Sequence, residues 1–155
     1  MATASPSAHH AHVSRGNVRN AAMGSGIVLI VLGVLGFIPG ITMAYDQLAF
    51  AAGSEAMLFN AFQISMLLNI VYIVVGAAGW AMSRTAAGAK DFLLGAGALY
   101  LAMWIYGLII NLESTANFMS FNMATNWLHF IVGVVLAGLG VAYMVRHRGD
   151  TRMNT

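Results

Sequence analysis

Four long apolar runs, flanked by basic residues at alternate ends, constrain this chain more than any other feature of its sequence. Each run has about 18–22 residues, enough at helical rise to cross a hydrocarbon layer about 30 Å thick. The seven basic residues lie before the first run, between the second and third, and after the fourth: Arg15, Arg19, Arg84, Lys90, Arg146, Arg148 and Arg152. The other two connections carry acidic residues instead: Asp46, Glu55 and Glu113. Because Lys and Arg near span ends resist translocation, the pattern predicts four spans of a cell (plasma) membrane, with both termini in the cytoplasm.

The composition supports a lipid-embedded chain, because 59% of the residues are hydrophobic and 8% are charged. A soluble domain carries about a quarter charged residues. The net charge of +2 is unevenly divided: seven basic residues less Asp91 and Asp150 give +5 on the predicted cytoplasmic side, and three acidic residues give −3 outside. We interpret the basic excess as topogenic charge that also attracts anionic lipid, and we expect no nucleic-acid partner.

The predicted fold is all-α, a polytopic membrane protein whose single four-transmembrane-helix bundle occupies residues 20–146. Residues 1–19 are expected to form a disordered cytoplasmic tail, and residues 147–155 a second cytoplasmic tail. The spans are predicted at about residues 21–38, 62–83, 90–111 and 126–145. The first outer loop, about residues 40–61, mixes polar residues with the apolar run Leu48–Ala52, which predicts that part of the loop forms a short amphipathic helix on the outer surface.

The first apolar run resembles a signal peptide, because two basic residues, Arg15 and Arg19, precede it. It is longer than the about 7–15 apolar residues of a signal peptide, and no convincing small-x-small cleavage site follows Pro39. We therefore predict an uncleaved span. Cleavage near Ala44 is the alternative and would leave three spans.

The two halves of the chain resemble each other. The second and fourth runs share an Asn, a ring, a Val and a Gly: Asn69, Tyr72, Val75 and Gly76 align with Asn126, His129, Val132 and Gly133. The first and third runs share glycines: Gly24, Gly26 and Gly36 align with Gly95, Gly97 and Gly107. Since the first and third spans run in the same direction, the pattern indicates a parallel two-hairpin repeat. Coincidence in a glycine-rich sequence is the alternative.

Polar residues inside the spans are the candidates for function, because lipid cannot satisfy them. No Asp, Glu, Lys or Arg lies deep in a predicted span, which argues against a transporter or channel. Asn69 and Asn126 fit hydrogen bonds between helices or a helix cap, and ligand contact is the alternative. His129, with Tyr72 at the aligned position and Trp127 nearby, is expected near the outer interface as a neutral, hydrogen-bonded ring. Proton exchange or quinone contact is the alternative for His129.

No metal or cofactor is predicted. The chain lacks cysteine, which excludes disulfides, thiolate metal sites and a Cys nucleophile. His9, His10 and His12 form a short tract without a defined ligand geometry. A haem would need a second ligand at the depth of His129, where the aligned residue is Tyr72.

Glycines in the runs predict close helix packing, because small residues let membrane helices approach where hydrophobicity gives no drive between them. The predicted packing positions are Gly33, Gly36, Gly76, Gly79, Gly133 and Gly140.

Several of these motifs resemble the bacterial membrane proteins of domain-of-unknown-function family 4383. The motifs are Leu32-Gly33, Gly36 to Gly40, Leu68-Asn69, Gly76, Trp104, Tyr106-Gly107, Asn117-Phe118, Asn122 and Asn126-Trp127-Leu128-His129. The resemblance covers about residues 20–145 and implies a four-helix integral membrane protein, with no biochemical activity to carry over. The family often has His-Asn-x-x-His in the second span, where this chain has Leu68-Asn69-Ile70-Val71-Tyr72, so this chain retains only His129 of such a set.

The leading functional hypothesis is a membrane component without enzymatic activity, which packs against itself or a protein partner in the lipid bilayer. The alternative is a small redox-linked accessory protein that contacts a quinone or lipid through His129, Asn126 and the aromatic residues near the outer face. A channel or transporter is the third class.

Overall fold

The computed structural model describes the backbone of residues 6–152 and the side chains of residues 15–146. Within that range the chain forms four α-helices and a small antiparallel sheet. The helices are α1 Pro6–Leu35, α2 Met66–Met82, α3 Ala86–Ile109 and α4 Met123–Arg152. The strands are β1 Thr42–Met43, β2 Met57–Leu58 and β3 Phe62–Gln63.

Three helical segments are long and apolar enough to cross a membrane: Arg15–Leu35, Ala86–Ile109 and Met123–Arg146. Helix α2 is apolar but shorter, with 17 residues. The predicted helical fold class is therefore confirmed, and three of the helices have the length and composition of membrane spans.

Helix α1 begins well before the predicted span. Pro6 is its first residue, and no proline follows until Pro39, so the helix that forms over the apolar run continues backwards without a break. Val18 is buried, and Arg19 Nε donates to Ser83 O at 2.9 Å. The structure thus differs from the disordered tail predicted for residues 1–19 wherever it describes that segment. Residues 1–5 and the side chains of residues 147–155 lie outside the described part.

The first predicted outer loop contains a three-stranded sheet and one short 3-10 helix, Tyr45–Gln47. The apolar run Leu48–Ala52 is not helical, so the predicted amphipathic surface helix is reduced to that single turn. Strand β1 pairs with β2, and β2 with β3, with Thr42 opposite Leu58 and Met57 opposite Gln63. Left-handed residues, among them Gly53 at φ +81°, reverse the chain and prevent a continuous helix. Thr42 and Leu58 face inward and are buried, which gives the short strands an inner side.

The helices pack as two hairpins, α1 along α2 and α3 along α4. An added Cβ at Gly76 would lie 2.5 Å from Gly26 O, and one at Gly97 would lie 2.6 Å from Ala137 N. At all six of the glycines predicted to pack, an added Cβ would come to 2.8 Å or less from another helix. Glycine at these positions therefore allows either the backbone or a side chain of the neighbouring helix to come close.

Candidate functional site

Five buried polar side chains lie between helices α2, α3 and α4, and we call them the polar core: Asn69, Tyr72, Tyr100, Asn126 and His129. Tyr72 is 2% exposed and the other four are 0% exposed. Asn69 and Tyr72 are three residues apart on α2, as Asn126 and His129 are on α4, so each pair shares one helix face. Tyr100 enters from α3.

The centre of the polar core is a hydrogen bond between two halves of the chain. Tyr72 OH and His129 Nε2 lie 2.9 Å apart, and the imidazole tautomer decides which atom donates. The rings of Tyr100 and Phe121 lie 5.7 Å and 5.0 Å from the imidazole centroid, the Phe121 ring nearly perpendicular to it. Three aromatic rings, including that of Tyr72, therefore surround His129.

Several polar atoms of this core lack a hydrogen-bond partner among the described residues. They are His129 Nδ1, Tyr100 OH and the side-chain amide atoms of Asn69 and Asn126. A buried polar group without a hydrogen-bond partner lowers the stability of the fold by about 1–3 kcal/mol. A donor or acceptor that reached one of these atoms would therefore bind favourably. The two side-chain amides have similar surroundings, because each lies against a glycine: Asn69 against Gly36, directly after α1, and Asn126 against Gly107 on α3.

The polar core can form hydrogen bonds through its phenol, imidazole and amide groups, and burial disfavours a charged form of either ring. Its ligand chemistry for metals is poor, because one imidazole is accompanied only by phenols and amides. Among residues 15–146, no group of three His, Asp or Glu side chains converges. The tract His9, His10 and His12 lies outside the residues with described side chains.

Of the five polar residues singled out from the sequence, Tyr72 and His129 are in direct contact, and Asn69 and Asn126 are buried one helical turn away on the same helix faces. Trp127 is the exception: it is 47% exposed and packs its ring against Trp104 and Phe130, at centroid distances of 6.0 Å and 5.5 Å. Sequence reasoning missed Tyr100 and Phe121. A hydroxyl in the middle of an apolar run was the available signal for Tyr100, whereas Phe121 lies in a loop and reaches His129 only through the tertiary fold.

The two outer loops form a joint cover over this end of the bundle, which we call the outer cap (residues 40–65 and 110–122). Ser120 Oγ donates to Ala51 O at 2.7 Å and accepts from Ser54 N at 3.1 Å. Ser65 Oγ donates to Met119 O at 2.7 Å. The chain has no cysteine and so no disulfide, and these hydrogen bonds connect the two loops of the outer cap.

Comparison with known proteins gives one family. The family model described as "Domain of unknown function (DUF4383)" matches residues 19–142, a range that includes the whole polar core. No curated protein and no solved structure matches the chain.

Proposed function

The chain belongs to domain-of-unknown-function family 4383, and on that basis we propose that it is a non-enzymatic membrane component that crosses the bilayer four times. In this proposal it packs its own helices tightly and contacts a second copy or another membrane protein through its lipid-facing surface. Both termini lie in the cytoplasm, since the basic residues cluster at that end of the helices.

Helix α2 is the span that needs support, because its 17 residues reach about 25 Å at helical rise. It lies along α1 over its whole length. Ser83 meets Arg19 at one end, Gly76 meets Gly26 in the middle, and Asn69 meets Gly33 and Gly36 toward the other end. A helix packed along a membrane-spanning helix in this way crosses the same hydrocarbon layer. Where a helix is a few ångströms shorter than that layer, the bilayer thins locally at a modest free-energy cost.

The proposal includes a parallel repeat of two hairpins, supported by matching contacts in the two halves. Asn69 lies against Gly36 as Asn126 lies against Gly107, and these are equivalent positions in the sequence alignment. An added Cβ at Gly26 would meet Trp80 N, and one at the equivalent Gly97 would meet Ala137 N. Tyr72 and His129 are also equivalent, and they bind each other, as residues beside a two-fold axis do.

The observation that carries the non-enzymatic proposal is the enclosure of His129. Its side chain is 0% exposed, its Nε2 is bonded to Tyr72, and aromatic rings cover its faces. A substrate would have to displace this packing to reach the imidazole. The geometry therefore favours a structural role, in which one polar contact fixes how the two hairpins meet.

Contact with another protein is supported by glycines that the bundle itself leaves open. An added Cβ at Gly24, Gly95 or Gly138 would meet nothing within 4 Å. Crosslinking in native membranes tests this: we expect a discrete crosslinked species, and a chain found only as an isolated monomer contradicts the proposal.

Topology is tested by reporters. A reporter fused after Thr155 is expected in the cytoplasm, and one inserted at Gly53 outside. Any other arrangement contradicts the four-span topology with cytoplasmic termini.

A second candidate is favoured by one observation, the unpartnered His129 Nδ1 and Tyr100 OH in the same buried core. Two such groups suit the carbonyl of a quinone, or a lipid head group, in a small redox-linked accessory protein. An absorbance spectrum and a lipid extract of the purified protein test this candidate. Absence of any bound chromophore or quinone, together with unchanged cellular behaviour of His129→Ala, excludes it.

A further inference from the structure

Two adjoining cavities open at the end of the bundle opposite the outer cap, between α1 and the turn from α2 to α3. They have volumes of about 380 and 410 Å³ and share Gly16 and Arg19. Trp80 and Arg84 line the first cavity, and Arg15 lines the second. An added Cβ at Gly16 would meet nothing within 4 Å, so there is open space beside the helix backbone. We call this region the inner notch.

The inner notch carries concentrated positive charge, and no carboxylate lines it among the side chains of residues 15–146. It contains three guanidinium groups, those of Arg15, Arg19 and Arg84. Among the described side chains, the ion pair that forms joins Lys90 to Asp91 at 3.1 Å, outside the notch. Guanidinium groups bind phosphate oxygens well, because their planar N–H donors match them in pairs.

Two of these groups are already held in place. Arg19 Nε donates to Ser83 O at 2.9 Å, which leaves both terminal amino groups of Arg19 for another acceptor. The guanidinium of Arg84 lies 5.9 Å from the centroid of the Trp80 ring, a cation–π arrangement. Holding the donors in advance lowers the entropic cost of binding an anion.

The notch also has an apolar side. Met23 and Trp80 line it and are 39% and 53% exposed, and Ile27 continues the exposed surface along α1 at 47%. Trp at such a position is typical of the boundary between head groups and hydrocarbon. A ligand that matches both sides has a phosphate next to acyl chains.

From this geometry we propose that the inner notch binds the phosphate of an anionic glycerophospholipid, with Arg19 and Arg84 as the main donors and Arg15 as the third. The inference rests on the proposed membrane-spanning arrangement, which places the notch at head-group level. The acyl chains lie along Met23 and Ile27. A free phosphate ion shares the guanidinium chemistry but gains nothing from the apolar side.

The experiment uses the full chain in nanodiscs and compares phosphatidylcholine alone with phosphatidylcholine containing phosphatidylglycerol. Retained lipid is counted by native mass spectrometry after transfer to detergent. For Arg19→Gln/Arg84→Gln we expect at least about tenfold weaker retention of phosphatidylglycerol, because both charge-assisted contacts to the phosphate are removed. The matched control, Lys90→Gln/Arg146→Gln, removes the same charge from outside the notch and is expected to stay within about twofold of wild type.

A second variant keeps every charge and fills the space. Gly16→Leu is expected to weaken phosphatidylglycerol retention although Arg15, Arg19 and Arg84 remain. Retention that is equal in wild type, Gly16→Leu and the double Arg variant overturns the proposal. Displacement of the lipid by millimolar inorganic phosphate overturns it in favour of a free-phosphate site. The reporter fusions at Thr155 and Gly53 report independently on topology, so a wrong topology is distinguishable from an empty notch.

Discussion

Two asparagines define the chemistry of this chain at the scale of single residues. The amides of Asn69 and Asn126 are fully buried, and each lies directly against a glycine on the neighbouring helix of its own hairpin. A side chain on Gly36 or Gly107 would occupy the space of the amide. Glycine and asparagine therefore form a size-matched pair in each hairpin, and neither can change alone without cost.

We predict that Gly36→Ala destabilises the protein by about 1–3 kcal/mol, because its Cβ overlaps the Asn69 amide. Adding Asn69→Ala should recover part of this loss, since it removes the overlapping atoms. Gly107→Ala with Asn126→Ala should behave in the same way. Thermal unfolding in detergent measures these effects.

Gly24→Ala and Gly95→Ala are the controls for these substitutions, because an added Cβ at either position meets nothing within 4 Å. Both should leave the midpoint of unfolding nearly unchanged. If Gly24→Ala lowers stability as much as Gly36→Ala does, the proposed size match between Gly36 and Asn69 is wrong.

The bond between Tyr72 and His129 is a second prediction at this scale. Tyr72→Phe removes the hydroxyl and leaves Nε2 of a buried imidazole unpaired, so we expect a loss of about 1–3 kcal/mol. A double-mutant cycle with His129→Phe should show a coupling energy of about 0.6–2 kcal/mol, the range for hydrogen bonds between membrane helices. Tyr45→Phe, at an exposed tyrosine of the outer cap, is the control. Additive effects of Tyr72→Phe and His129→Phe would show that the bond contributes nothing.

At the scale of elements, the start of α2 connects a helix to a loop that is distant in sequence. Ser65 Oγ accepts from Leu68 N at 3.2 Å, which caps the helix, and donates to Met119 O at 2.7 Å. Thr85 caps α3 through a bond from Gly88 N at 3.0 Å and is exposed. The two caps thus have the same local role, and Ser65 has a tertiary role in addition.

We predict that Ser65→Ala is more destabilising than Thr85→Ala by about 1 kcal/mol. Loss of an N-cap costs about 0.5–2 kcal/mol in either case, and Ser65→Ala additionally leaves a carbonyl without its donor. Chemical unfolding of the two variants in the same detergent gives the difference. Equal losses of stability in the two variants would mean that the hydrogen bond from Ser65 to Met119 O does not stabilise the folded protein.

At the scale of the whole molecule, the two hairpins are joined at the polar core and again through the outer cap. Ser120 provides two of the cap's bonds, to Ala51 and from Ser54, across a sequence separation of more than 60 residues. Because this order depends on hydrogen bonds and not on disulfides, single substitutions should release it locally without unfolding the helices.

We predict that Ser120→Ala increases hydrogen exchange at residues 51–54 by about tenfold, which corresponds to about 1.4 kcal/mol for the lost bonds. Exchange in α3 should not change. Ser114→Ala is the control, since the hydrogen bonds of its hydroxyl, to Asn111 O and from Ala116 N, stay within the second outer loop. If both variants exchange alike at residues 51–54, the cap is not held together by Ser120.

Much of the helical arrangement could be predicted from local properties of the sequence. Apolar runs of sufficient length give the helices, and the family resemblance is carried by short motifs such as the one from Asn126 to His129. Boundaries were less predictable: α1 extends back toward Pro6, because nothing in the polar residues before the span stops a helix once it has formed. The three-stranded sheet was missed because pairs of strands with two residues each depend on partners outside their own segment.

That long apolar segments become helices follows from the amino-acid sequence alone, because backbone hydrogen bonds within a helix need no distant partner. The sequence also identifies Asn69, Tyr72, Asn126 and His129 as polar residues in apolar runs. The contact between Tyr72 and His129, the rings of Tyr100 and Phe121 around the imidazole, and the exposed position of Trp127 are visible only in the folded chain. These outcomes depend on how the helices rotate and approach one another, which is set by the fit of side chains across helices and not by any one segment.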